Sequence, residues 1–203
     1  IVDEDIVRDR ISLMAPKGTK LEDIKHIRAH LVLIPQCRKF QTEHNITSEA
    51  SADSAGAAAD LAQTKEPGVG ALASELAAET YGLDVIARDI EDFDFNTTRF
   101  LIMSNQSDYS PRGDTHMITS FVFRVRNIPA ALYKAMGGFA TNGINMTKLE
   151  SYMVGGAFTA TQFYADIEGH PEDPAVKRAM EELDYYTSTV KILGVFPASH
   201  ARD

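Results

Sequence analysis

The sequence predicts an α/β protein in two parts, a mixed α/β layer followed by a β-α-β-β-α-β unit. Short apolar runs alternate with helical patterns over residues 1–104, the arrangement that builds a layered α/β sheet with parallel neighbours. Residues 105–116 sit in a stretch from Ser104 to His116 with almost no apolar content, which reads as a linker. Beyond it, residues 117–203 give strand, helix, strand, strand, helix and strand in that order, the ferredoxin-like split unit.

The elements follow from local chemistry. The charged stretch from Asp5 to Met14, with Ile6, Ile11 and Leu13 spaced along it, predicts an edge helix or a strand–helix junction, and Ala15-Pro16-Lys17-Gly18-Thr19 a turn. An apolar stretch from His30 to Ile34 leads into a helix running from Gln36 towards His44. The small-residue segment from Ser51 to Ala62 predicts a helix capped by Asp53 or Ser54. After the Pro67-Gly68 break come a strand at Val69–Leu72 and a helix over Ser74–Tyr81 that stops at Gly82. Val85–Ala87 and Arg99–Met103 are further strands. In the second part, Met117–Arg126 alternates like a half-buried strand, and Asn127-Ile128-Pro129 opens a helix that Gly143 ends. Asn145–Val154 and Phe158–Ile167 form a hairpin about Gly155-Gly156. Pro171–Tyr186 is a helix with acidic residues in its first half, and Val190–Phe196 is the last strand.

Composition narrows the function. Twenty Lys+Arg against 29 Asp+Glu give a net charge of −9. That balance argues against nucleic acid as a partner, because phosphate contacts need clustered cations. No apolar run approaches the ~18 residues of a membrane span, and no export signal opens the chain. The single cysteine, Cys37, excludes an internal disulfide framework and fits a reducing, cytoplasmic setting. The chain opens on Ile1 rather than Met, from which it is expected to be part of a longer protein.

Few constellations carry chemistry. His26 and His30 have helical metal-ligand spacing, but no Glu follows His26 and no third ligand lies near, so no metal is expected. Cys37 lacks a nucleophile motif and reads as a small core residue. Phosphate-binding and dinucleotide loops are missing, which removes kinase, ATPase and dehydrogenase chemistry. There remains Asn96-Thr97-Thr98-Arg99-Phe100, where a turn feeds a strand. Arg99 offers a planar fork for a carboxylate. Thr97, Thr98 and Asn96 could orient or protonate an oxygen of the same small molecule. A capped turn whose Arg makes a surface ion pair would have the same composition.

These residues resemble the prephenate dehydratase family. Asn-Thr-Thr-Arg-Phe at 96–100, the segment Ala71-Leu72-Ala73-Ser74-Glu75-Leu76 through Tyr81-Gly82-Leu83, Asp53-Ser54-Ala55-Gly56-Ala57-Ala58 and Gln36-Cys37 are similar to its catalytic region. Asn127-Ile128-Pro129-Ala130-Ala131-Leu132-Tyr133-Lys134 and Gly143 to Ser151 resemble the ACT regulatory domain that such enzymes carry. The resemblance covers nearly the whole chain in the right order. It implies a periplasmic-binding-protein-like lobe over 1–104 and an ACT domain over 117–203. It also implies the decarboxylating dehydration of prephenate to phenylpyruvate, on the route to phenylalanine, with no cofactor.

By this resemblance Thr98 assists departure of the hydroxyl, Arg99 binds a carboxylate or braces the site, Phe100 packs behind them and Asn96 fixes the turn. Thr97, His30 and Ser54 join substrate binding, Ser54 at a helix start suited to an anion. L-phenylalanine is the implied effector. Asn127, Pro129, Ala130, Ala131 and Leu132 form its loop, and Glu150 and Ser151 its strand-side contact, in a homodimer or homotetramer.

The sequence departs from the family in places. Ala29-His30-Leu31-Val32 stands where a Ser-His-Pro-Gln loop is common, and Tyr152-Met153 where Arg-Pro follows Glu-Ser. The family's earlier lobe is not in this chain, so the chain alone is expected to hold half of the substrate cleft and to be poorly active. The alternative is a non-catalytic ACT-type protein that binds an amino acid and regulates. The enzyme reading requires the Thr98 hydroxyl and the Arg99 guanidinium to open together into one cavity large enough for a six-membered ring acid.

Overall fold

A computed structural model of the protein describes residues 1–126, 128–156 and 160–202, without the side chain of Ala160. The chain forms two compact units, residues 7–98 and residues 1–6 with 99–203. Two strands, β1 (Asp3–Arg8) and β7 (Thr97–Ile102), pair as a two-stranded sheet, and the division between units falls within both. Among the described residues no helix is long and apolar enough to cross a membrane.

The unit of residues 7–98 is built on a five-stranded sheet. Its strands are β2 (Ser12–Ala15), β3 (His26–His30), β4 (Thr47–Ser51), β5 (Val69–Ala73) and β6 (Asp84–Ala87), in the order β4-β3-β5-β2-β6. Strand β3 runs parallel to β4 and β5, whereas β2 is antiparallel to β5 and β6, so the expected parallel sheet is mixed. The charged stretch from Asp5 to Met14 is strand on both sides of a break at residues 9–11, not a helix. Its ladder partners come from distant segments, which no local periodicity reports.

Alternation along these strands feeds two cores. Leu13, Ala15, Ile27, Ala29 and Leu72 point to one, with Cys37 and Ile46, while Met14, Ala71 and Ala73 point to the other. That second face is covered by the helices α2 (Ser54–Thr64) and α3 (Glu75–Tyr81), and α1 (Arg38–Glu43) is shorter. Gly70 is required between the layers: a Cβ there would lie 2.7 Å from Leu13 Cδ1 and 3.2 Å from the Met14 carbonyl oxygen.

The other unit carries the four strands β8 (Met117–Val125), β9 (Met146–Met153), β10 (Ala160–Glu168) and β11 (Thr187–Pro197). Their order is β11-β8-β10-β9, all antiparallel, as the βαββαβ pattern predicts. Helices α4 (Ala131–Thr141) and α5 (Pro174–Tyr186) pack on one face over Phe121, Phe123, Phe163 and Ile167, with Phe139 of α4 in the same core. The expected strand start at Phe158 lies outside the described residues.

The segment expected to be a linker at 105–116 belongs to this unit. The Ser110 N–H donates to Val195 O at 2.9 Å, Tyr109 Oη–H to Ile192 O at 3.1 Å, and Arg112 Nε–H to Asp173 at 2.6 Å. Its polar composition reflects hydrogen bonding to the neighbouring strand and helix rather than free chain.

Candidate active site

Thr98 lies in β7, and the Asp9 N–H donates to the Asn96 carbonyl at 2.9 Å beside it. This backbone bond brings together two segments nearly ninety residues apart, and the Thr98 hydroxyl donates to Oδ2 of Asp9. Asn96 donates from Nδ2 to Oε1 of Gln36 at 2.7 Å, which fixes both amides. Within the unit of residues 7–98, Thr98, Thr97, Asn96, Asp9 and Gln36 line a cavity of about 560 Å³, with Ser74 on its wall. Arg8 and Arg10 are among the residues that line the same cavity, and Arg10 is only loosely paired with Asp89, at 3.6 Å. A smaller recess of about 260 Å³ shares Gln36, Asn96 and Thr97 and is walled by the exposed rings of Phe93 and Phe95.

Successive strand residues point to opposite faces. Arg99 therefore leaves the face that Thr98 occupies, and it is not among the residues that line the cavity within the unit of residues 7–98. Within its own unit the Arg99 guanidinium donates from Nε to Glu4 at 2.6 Å and from Nη1 to Asp166. The carboxylates of Glu4 and Asp166 are fully buried, and Ser120 also donates to Asp166. Nε and Nη1 of Arg99 are thus engaged, while Nη2 is buried with no hydrogen-bond partner among the described residues. Phe100, expected to pack behind Thr98 and Arg99, is 54% exposed.

His30 and Ser54 are brought together, but through the His30 backbone, whose N–H donates to Ser54 Oγ at 3.0 Å. The His30 ring accepts from the Val32 N–H at 3.3 Å, a local turn contact. At the helix start where Ser54 is expected to meet an anion, Asp53 caps α2 by accepting the Gly56 N–H at 2.5 Å. His26 and His30 stand at the two ends of strand β3, and His26 engages Thr47 at 2.8 Å and Glu49 at 3.5 Å.

In the second unit, Ala130 takes a left-handed backbone, φ 60°, so α4 starts at Ala131, after Pro129 rather than on it. Ala131 is buried, while Leu132 is partly buried against the aromatic core. Asn127 lies outside the described residues. Glu150 and Ser151 are exposed on β9, paired with Tyr164 and Phe163, and Glu150 meets Lys148 and the Tyr152 hydroxyl at 3.2 Å each.

The family model described as prephenate dehydratase matches residues 1–108. The chain belongs to the prephenate dehydratase family. A bifunctional N-acyl-homoserine lactone acylase/prephenate dehydratase of Komagataeibacter europaeus is 44% identical over 202 residues, covering all of this chain and 72% of that protein. A bifunctional chorismate mutase/prephenate dehydratase of Aquifex aeolicus is 37% identical over 179 residues, 87% of this chain and 48% of its own length. The chain thus spans between about half and three quarters of these relatives. The solved prephenate dehydratase of Arthrobacter aurescens in complex with L-Phe superposes with a TM-score of 0.84 at 29% identity, covering 98% of this chain and 68% of that one. The fold is accordingly a periplasmic-binding-protein-like lobe with a ferredoxin-like ACT unit.

Asp9 and the two arginines beside it escape a reading of the sequence. Their only mark is charge at the end of an apolar-spaced segment, and the pairing that brings Asp9 to Thr98 is long-range. Gln36 belongs to the Gln36-Cys37 pair that resembles the family, which was the available signal for it.

Proposed function

We propose that the protein converts prephenate to phenylpyruvate and that L-phenylalanine regulates it through the ACT unit. The observation that carries this reading is the Thr98 hydroxyl opening beside Asp9 and Asn96 into a cavity also lined by Arg8 and Arg10. Prephenate is a dicarboxylate, and arginines among the lining residues suit carboxylates. Loss of carbon dioxide and of the ring hydroxyl aromatises the ring, so the driving force lies in the substrate. The protein has to align the two breaking bonds and stabilise the departing oxygen. Thr98 serves as hydrogen-bond and proton donor to that oxygen, and the Asn96–Gln36 pair holds the turn that carries it.

In the ACT unit, the backbone N–H groups at the start of α4, around Ala130 and Ala131, suit an amino-acid carboxylate. Glu150 suits its ammonium. The known complex of the Arthrobacter relative with L-Phe supports this assignment. Association as a homodimer or homotetramer fits the same reading.

The test uses the full gene product with prephenate, following phenylpyruvate by its ultraviolet absorbance. Turnover by the parent and its loss in Thr98→Val support the reading; unchanged turnover in that variant removes Thr98 from the chemistry. Calorimetry with phenylalanine should give heat that Glu150→Ala and Ser151→Ala weaken. Phenylalanine binding without any phenylpyruvate would favour the non-catalytic regulator instead.

A second activity is supported by the recess of Phe93 and Phe95. Its apolar wall adjoins the polar cavity and suits an acyl chain, and the Komagataeibacter relative is named for an N-acyl-homoserine lactone acylase as well. Release of homoserine lactone from an N-acyl-homoserine lactone, reduced in Phe93→Ala, would support it; no release at millimolar substrate would dismiss it.

A further inference from the structure

We infer that Asp9 is the proton relay behind Thr98, a positioning residue that loads the hydroxyl with the proton it passes to the departing oxygen. The inference rests on the dehydration proposed above. Asp9 accepts the Thr98 hydroxyl, and its backbone N–H is held by the Asn96 carbonyl at 2.9 Å, so the two side chains are aligned by main-chain pairing. Both line the same cavity. Arg8 and Arg10 flank Asp9 and line the same cavity; Arg10 is directed to Asp89 at 3.6 Å, and among the described residues no ion pair engages Asp9.

A threonine hydroxyl has one proton. While it donates to an ionised Asp9, its oxygen faces the cavity as an acceptor, which is the wrong sense for helping hydroxide to leave. Once Asp9 carries a proton, its own O–H donates to Thr98 Oγ1 and the threonine proton turns to the substrate. Thr98 alone would also end as an alkoxide, about as strong a base as the hydroxide it had neutralised, so an acid behind it is what makes the transfer useful.

The step balances. The bond from the ring to the lost carboxylate breaks and its electron pair becomes ring π density. The ring C–O bond breaks with its pair on oxygen, and that oxygen takes the Thr98 proton and leaves as water. Thr98 takes the Asp9 proton, and the Asp9 carboxylate regains one from solvent water. Overall, prephenate and one proton give phenylpyruvate, carbon dioxide and water.

The experiment measures kcat and KM for prephenate in the full gene product and in Asp9→Asn, Asp9→Ala and Thr98→Val, with and without added formate. Both Asp9 variants should lose about 100-fold in kcat with KM changed by no more than about twofold. Formic acid entering the space left in Asp9→Ala should restore part of kcat, and it should do nothing for Thr98→Val. Parent-like kcat in Asp9→Ala beside an inactive Thr98→Val overturns the relay and leaves the dehydration standing. So does full activity in Asp9→Asn, whose amide keeps the geometry but carries no transferable acid proton. An inactive parent, or an active Thr98→Val, removes the dehydration reading and the relay with it. Should Asp9→Ala fail to fold, the near-isosteric Asp9→Asn decides alone.

Discussion

The Nε–H of Arg99 donates to Oε2 of Glu4 at 2.6 Å, across 95 residues of sequence. The same carboxylate accepts from Arg202 Nη2 at 2.7 Å and from the Ser199 N–H at 3.0 Å. Burial by itself would raise the Glu4 pKa, but the Arg202 hydrogen bond, the Ser199 N–H and the Arg99 charge together bring it down to about 2. The guanidinium next to Thr98 in sequence is thereby committed to holding strands together, while the hydroxyl faces an open cavity.

Glu4 makes stability depend on acid. Its folded-state pKa of about 2 lies below the ordinary 4.5, so the folded protein binds fewer protons there than the unfolded chain. The contribution, about 3 kcal/mol, is complete above the ordinary value and fades as pH falls towards 2. Urea unfolding of the parent and of Glu4→Gln should show a gap that narrows between about pH 5 and pH 3. A gap independent of pH would refute the linkage.

Adjacent residues should have opposite phenotypes. Arg99→Ala takes from buried Asp166 the guanidinium that pairs with it and from buried Glu4 one of two, Arg202 remaining, and should cost about 3–5 kcal/mol of stability. Thr98→Val keeps a β-branched residue in an exposed strand position and should cost no more than about 1 kcal/mol while abolishing turnover. Thermal denaturation and the phenylpyruvate assay, run on both variants, check the contrast. Equal destabilisation by the two would contradict the face assignment.

Cys37 should be inert in the folded protein. Burial, with Asp92 and Glu91 nearby, pushes its thiol up to about 12, so at neutral pH it is neither ionised nor accessible. Iodoacetamide should label it only after denaturant is added. Stoichiometric labelling of the native protein, read by mass spectrometry, would be the contrary result.

The helix pair of the ACT unit depends on Gly138. A Cβ there would meet Glu182 Cβ at 2.9 Å and the Ala179 carbonyl oxygen at 3.1 Å. Gly138→Ala should therefore destabilise by about 1–3 kcal/mol even though alanine favours helix. Gly137→Ala is the internal control, because nothing lies within 4 Å of its Cβ position. A more stable Gly138→Ala would mean that α4 and α5 can separate freely.

Much of the architecture is legible in short windows of sequence. Asp53 announces the start of α2 and Gly82 the end of α3, because a cap needs a specific side chain or backbone conformation at one position. The apolar alternation from Met117 announces β8, whereas Glu172 and Asp173, expected inside a helix from Pro171, precede α5, which starts at Pro174. The stretch from Asp5 to Met14 misleads, since its charges suit a helix surface equally well and its true partners, β5, β6 and β7, come fifty or more residues later.

The candidate site divides in the same way. Chain order alone placed Thr98 and Arg99 where a turn feeds a strand and singled out the residue types able to do acid and anion chemistry. Which of them meets the cavity follows from strand parity, from Glu4 and Asp166 capturing the guanidinium, and from Asp9 arriving beside the hydroxyl. Side-chain chemistry is a local property and survives in a one-dimensional text. The partner that gives a group its direction and its proton is chosen by contacts between distant segments, and those exist only once the chain has folded.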